Sequence, residues 1–133
     1  MKTTEFCRLA HTTRDTLRYY DSLGILKPHR LENTYREYTS ADLNTYNIIQ
    51  NLKSAGLSLT EISQVLLLQA QPITPECRQS VLTMIQDKND YFTNQYRFFT
   101  QLMTIASQMK IAVQNNHQEQ LESLIEKLGK LTN

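Results

Sequence analysis

The chain has 133 residues, a formal net charge of +1, 40% apolar residues and no Trp. That suffices for one small core or a small head with an extension, and a near-neutral balance argues neither for nor against nucleic acid. Cys7 and Cys77 make no disulfide framework, no N-terminal apolar run carries a basic flank, and no stretch approaches the ~20 apolar residues of a membrane span, so a reducing, cytoplasmic setting with no membrane partner is expected.

Thr3 to Ala10 predicts a short helix with Phe6, Leu9 and Ala10 facing inward, and His11-Thr12 predicts a turn. Thr13 is placed to cap a second helix from Arg14 to about Leu23, its hydroxyl accepting from an N–H of the first turn. Gly24 follows, where a left-handed backbone is cheap. Two short helices joined by a tight turn make a helix-turn-helix. Ile25 to Tyr38 reads as a two-stranded hairpin with Glu32-Asn33-Thr34 at its tip, Asn33 tolerating the positive φ expected there. Thr39 and Asp42 have capping-box spacing and open a helix through Leu43, Tyr46, Ile48, Ile49 and Leu52 to Ala55, stopped by Gly56. Ser58 and Glu61 form a second box, opening a helix over Ile62, Val65, Leu66 and Leu68.

Pro72 ends that stretch. Thr74-Pro75-Glu76 then supplies a cap, a proline at the first helical position and an early acid. No Gly or Pro interrupts from there to about Val113. Spacings of four and three link Val81, Ile85, Lys88, Phe92, Gln95, Phe99, Leu102, Ala106, Met109 and Val113. Eight of those ten positions are apolar, the pattern of a coiled-coil seam roughly five heptads long. A helix of that length cannot bury its seam against a head of about seventy residues, so a second copy is expected to cover it. Asn115-Asn116-His117 breaks the pattern, and Gln118 to Leu131 is a last amphipathic stretch through Leu121, Leu124, Ile125 and Leu128. The expected fold is therefore mainly α: a winged helix-turn-helix head over 1–71, then a dimerisation helix and a short C-terminal helix over 72–133.

Local charge says more than the total. Between Arg8 and Arg36 six cations (Arg8, Arg14, Arg18, Lys27, Arg30, Arg36) meet three acids (Asp15, Asp21, Glu32), whereas from Glu76 onward six cations meet six acids. Thr13 to Asp21 carries cations and aromatics on one side of a helix, and Tyr35-Arg36-Glu37-Tyr38 presents an arginine between two tyrosines. Together they read as a helix and a wing laid on a duplex.

The ordered set Thr16-Leu17-Arg18-Tyr19-Tyr20-Asp21 with Gly24, Tyr35-Arg36-Glu37-Tyr38, Asp42-Leu43, and Leu52-Lys53 with Gly56, Ser58-Leu59 and Glu61-Ile62 resembles the MerR family of bacterial transcription regulators. The match covers about Thr3 to Leu68; the tail matches only as an architecture. The resemblance implies a homodimer joined by an antiparallel coiled coil. It also implies promoter DNA whose two elements are separated by an overlong spacer. A small effector would change the dimer's geometry, so that the bent and untwisted DNA aligns both elements for RNA polymerase. The family's turn glycine is His11 here, followed by Thr12, and its wing-tip glycine is Thr34.

The residues assigned to DNA are Thr13, Arg14, Arg18, Tyr19, Tyr35, Arg36, Tyr38 and Lys53. With Leu17 and Tyr20 inward, Arg14 and Arg18 lie one turn apart on the outer face. By resemblance Arg18 and Tyr19 meet phosphates and the groove rim, with Arg14 a base reader. The alternative is a solvated Arg18 and a half-buried Tyr19. Arg36 suits a phosphate or the minor groove, or else pairs with Glu32 or Glu37. Tyr38 is expected to pack its ring and present its hydroxyl to the DNA backbone. Lys53 reaches a phosphate or is simply solvated.

The dimer seam is assigned to Val81, Ile85, Phe92, Phe99, Leu102, Met109 and Val113. Cys77 is placed in the first turn of the long helix, where metal-sensing members of that family carry a thiolate, but soft-metal sites need further ligands and no cysteine follows it. It reads as a small helix residue, with a redox role or a pair across the dimer near His117 as alternatives; Cys7 reads as structural. Tyr91, Phe92, Tyr96, Phe98 and Phe99 read as packing rings or as the wall of an effector pocket. No catalytic arrangement, metal site or cofactor is expected. The competing function is a coiled-coil interaction module whose head docks on protein.

Overall fold

The computed structural model describes residues 1–32 and 34–133. Its elements are α1 (Thr3–Ala10), α2 (Arg14–Leu23), β1 (His29–Arg30), β2 (Arg36–Glu37), α3 (Ser40–Ser54), α4 (Leu59–Ala70), α5 (Arg78–Gln114) and α6 (Gln118–Leu128). Met1–Pro72 and Ile73–Asn133 form two compact units.

Local chemistry sets the helix ends of the first unit. Thr13 accepts from the Thr16 N–H at 3.2 Å, and Gly24 closes α2 with φ 76°. Thr39 with Asp42 and Ser58 with Glu61 make reciprocal capping boxes at the starts of α3 and α4. Each such cap contributes about 1 kcal/mol. His11 and Thr34 both take positive φ, 53° and 66°. These are the two positions where the resemblance places glycine, so the backbone geometry is kept without the residue that adopts it freely. The expectation that Asn33 carries the positive φ falls outside the described residues.

The core of this unit gathers Phe6, Leu17, Tyr20, Leu26, Tyr38, Tyr46, Ile49, Leu57 and Ile62. Phe6 is its hub: its ring lies 4.5 Å from Tyr38 and meets Tyr46 edge-on at 6.0 Å. Burying each such side chain stabilises the fold by roughly 1.5–3 kcal/mol. Leu9 does not join it. Cys7 and Ala10 pack beside Phe6, which rolls α1 so that Leu9 lies outside, 42% exposed. β1 and β2 pair antiparallel, with Arg30 opposite Arg36 and His29 opposite Glu37, and Lys2 adds a bridge to Glu37.

In the second unit α5 runs 37 residues, about 55 Å at 1.5 Å per residue. It opens at Arg78, three residues later than Pro75. The Cys77 N–H bonds the Thr74 carbonyl, making a turn of Thr74–Cys77, and the Thr74 hydroxyl donates to Cys77 Sγ instead of capping a backbone N–H. Cys77 is thus the residue before the helix, not part of its first turn. Asn116, at φ 57°, reverses the chain into α6. Ile105, Ala112 and Leu124 are buried between the two helices, with Met109, Leu121, Leu128 and Leu131 packed on them. Met109 is half-buried, four residues after Ile105 and three before Ala112, and packs toward the side of α5 that α6 covers. Along the remaining seam Ile85, Phe92, Phe99 and Val113 are exposed.

Candidate nucleic-acid interface

α2 carries its apolar residues at Leu17 and Tyr20, three apart and buried, which turns Arg14 and Arg18 to the exposed side. Tyr19 is 53% exposed, its ring 6.3 Å from that of Tyr20. Thr13 is exposed, but its Oγ1 is engaged with Thr16 in the helix cap. The Arg14 guanidinium reaches back to the Thr4 hydroxyl in α1. Arg18 Nη1 stands 3.3 Å from Asp15 Oδ1 in an exposed pair, an interaction too weak to withhold Arg18 from an anion.

Between α1, the start of α2 and the wing lies an open cleft of about 470 Å³. Lys2, Arg14, Arg18 and Arg36 bring cations to it, Tyr35 and Tyr38 bring rings, and no described residue lining it is acidic. The structure thus brings together Arg14, Arg18, Tyr35, Arg36 and Tyr38 from the expected set. Lys53 is exposed and not among the cleft's lining residues. Its Nζ lies 3.3 Å from the Tyr20 hydroxyl, which also accepts from Gln50 Nε2 at 3.0 Å. An ammonium has three hydrogens, so Lys53 keeps two for another acceptor.

Tyr38 departs from its expected role. It is 1% exposed, and its hydroxyl is buried without a hydrogen-bond partner among the described residues. Burial, above all, pushes its pKa up. The ring completes the core, and the hydroxyl does not reach the surface on which a phosphate would sit.

Arg36 pairs with neither Glu32 nor Glu37. Its Nε donates to Asp21 Oδ2 at 3.1 Å, and Arg30 Nη2 donates to the same oxygen at 2.9 Å. Glu37 is bonded instead to the Met1 amino group at 3.0 Å. Sequence reasoning gave Asp21 and Arg30 no role. The signal lies in the hairpin register: two arginines set directly opposite each other call for an anion between them.

Cys77 is partly exposed, and the hydrogen bond from Thr74 Oγ1 at 3.2 Å holds its thiol below the usual range. Burial pushes the Cys7 thiol up. Among the described residues, no group of three or more His, Cys, Asp or Glu is arranged to hold a metal ion. None of their helices is long and apolar enough to cross a membrane.

Residues 1–69 match the family described as MerR HTH family regulatory protein. The HTH-type transcriptional regulator HmrR of Rhizobium leguminosarum bv. viciae is 32% identical over 78 residues, 55% of this chain and 60% of that protein. This chain thus spans less than two thirds of that relative's length. A probable heavy metal-dependent transcriptional regulator of Haemophilus influenzae is 26% identical over 96% of this chain and 82% of its own. Among solved structures, a MerR family transcriptional regulator from Bacillus cereus aligns at TM-score 0.56 and 25% identity, covering 96% of this chain and 97% of that one. The cryo-EM structure of the EcmrR–DNA complex in EcmrR-RPo aligns at TM-score 0.52 and 25% identity over 90% of this chain and 40% of that one. With its winged helix-turn-helix head and long helix, the chain belongs to the MerR family of helix-turn-helix regulatory proteins, a family of regulators and not of enzymes.

Proposed function

We propose that the chain is a homodimeric, cytoplasmic transcription regulator that binds an inverted repeat in promoter DNA and distorts it, in response to a small effector, for RNA polymerase. The observation that carries this reading is the cleft between α2 and the wing, walled by Lys2, Arg14, Arg18 and Arg36 with no acidic residue among its described lining. A surface that only docked protein has no need of cations converging beside exposed Tyr19 and Tyr35. Similarity to the EcmrR–DNA structure supports the DNA partner.

The dimer is supported by the exposed row Ile85, Phe92 and Phe99 on α5, which a second copy would cover. Its polar interruptions favour antiparallel helices. In a parallel pair Lys88 would face Lys88 and Gln95 would face Gln95. An antiparallel pair centred midway between Val81 and Val113 puts Lys88 opposite Ala106 and Gln95 opposite Phe99 of the second copy. The twofold axis of such a pair matches the symmetry of an inverted repeat.

The test is selection of bound fragments from a random-sequence duplex library at near-physiological salt. The expected product is an inverted repeat with fixed half-site spacing. A folded, dimeric protein that enriches nothing favours the protein-docking alternative. In the same assay Arg18→Ala should weaken binding to the selected and scrambled duplexes alike and flatten the salt slope by about one unit. An unchanged slope would remove Arg18 from the phosphate contacts.

A further inference from the structure

Asp21 sits in the last turn of α2, where a carboxylate opposes the helix dipole, on the same unit that gathers cations for the cleft. The first of these is unfavourable for a residue without a task. Its side chain is only 16% exposed because two guanidiniums cover it. Arg30 and Arg36 face each other across the hairpin, and one oxygen of Asp21 binds both. Arg30 also donates through Nη1 to the Thr34 carbonyl at 3.1 Å, so the tie extends to the wing tip.

The chosen atom matters. Asp21 takes Arg36 through Nε, which leaves the two Nη groups of that planar fork for other acceptors. Arg36 lines the cleft. A guanidinium anchored at one edge can present the other edge only in a narrow range of directions. Arg30, with a side chain 48% exposed, is paired with the same carboxylate.

We propose that Asp21 is a specificity-determining positioning residue, which fixes the wing to the reading helix through Arg30 and Arg36 and restrains both arginines from indiscriminate phosphate contact. This rests on the DNA-reading function proposed above. A fixed distance between helix and wing lets phosphate contacts set the register in which α2 meets base edges. Freed arginines would instead follow any duplex.

The test uses the full chain with Asp21→Asn, against the selected duplex and a scrambled one, across a salt series. The expected result has two parts. Affinity for the scrambled duplex rises with a salt slope steeper by about one unit, as one more cation meets phosphate. The preference for the selected duplex falls about tenfold, through mispositioning of the wing. A purely structural weakening would lower both affinities together and leave the slope alone. Asp21→Asn that is folded and keeps the wild-type preference and slope overturns the inference. If that variant melts below the assay temperature, Arg30→Gln gives the answer: a smaller loss of preference supports the tie, and none overturns it. In the free protein, the Arg36 Nε–H resonance should exchange slowly with water in wild type and quickly in the Asp21 variant; equal exchange overturns the tie itself. A wild-type protein that prefers no duplex overturns the DNA-reading function, and the resonance still reports separately on whether the tie exists.

Discussion

In the first unit Phe6, Leu17, Tyr46, Ile49 and Ile62 are buried by contacts within residues 1–72, whereas in the second Ile85, Phe92 and Phe99 stand exposed along one side of α5. The difference follows from shape. Four short helices and a hairpin can close around one aromatic hub, but a helix of about 55 Å offers far more side than an 11-residue α6 can cover. α6 takes the face of Ile105, Met109 and Ala112 and leaves its neighbour bare. At about 100° per residue the two faces are roughly a third of a turn apart. One unit closes its core within a single chain, whereas the other leaves an apolar row exposed, which the proposed second copy would cover.

Two substitutions should separate the units most sharply. Phe99→Glu puts a carboxylate into the seam, where an unpaired buried charge costs several kcal/mol. The dimer dissociation constant should rise by more than about 1,000-fold, at 1.4 kcal/mol per factor of ten. Light scattering should report a monomer with its head still folded; a dimeric variant would place Phe99 outside the interface. Ile49→Ala should do the reverse. It opens a cavity in the head core and should cost about 2–5 kcal/mol in urea unfolding, with the dimer mass unchanged under native conditions. Loss of the dimer with that variant would mean the units are not independent.

Smaller effects sharpen the picture within each unit. Tyr38→Phe removes a buried hydroxyl that has no described partner. It should leave stability unchanged or raise it by up to about 1 kcal/mol, and should leave the salt slope of DNA binding alone. A flatter slope would return Tyr38 to the phosphate surface. In the tail, the Thr74 hydroxyl stabilises the Cys77 thiolate, so the thiol's pKa is lowered. Because the thiolate is the reactive form, alkylation of Cys77 should turn on at lower pH than for an ordinary cysteine. Thr74→Val should move that midpoint upward, whereas Cys7, raised by burial, should turn on at higher pH. A Thr74 variant with an unchanged midpoint would assign the shift to another cause.

Features set by neighbours in sequence were legible. Thr13, the Thr39–Asp42 and Ser58–Glu61 boxes and Gly24 mark helix ends because each acts within three or four residues. Leu17 and Tyr20 gave the inward side of α2, and hence the outward side of Arg14 and Arg18. What failed depends on contacts between distant residues or on rivals for one group. The start of α5 was misplaced because Thr74 gives its hydroxyl to Cys77 Sγ. Met109 fits the heptad spacing and also packs on the α5–α6 cluster, a contact that spacing alone does not reveal. Tyr38 packs its ring as expected, but the core takes its hydroxyl too. Asp21 was visible in the motif and silent in meaning, because only the hairpin register brings Arg30 and Arg36 to one oxygen.

The most direct test of two heads held by α5 on one twofold DNA site is sedimentation equilibrium of the protein with the selected duplex. Two chains per duplex for wild type, and loss of that complex for Phe99→Glu, is the predicted result. One chain per duplex at saturation, bound as tightly by Phe99→Glu as by wild type, would contradict it.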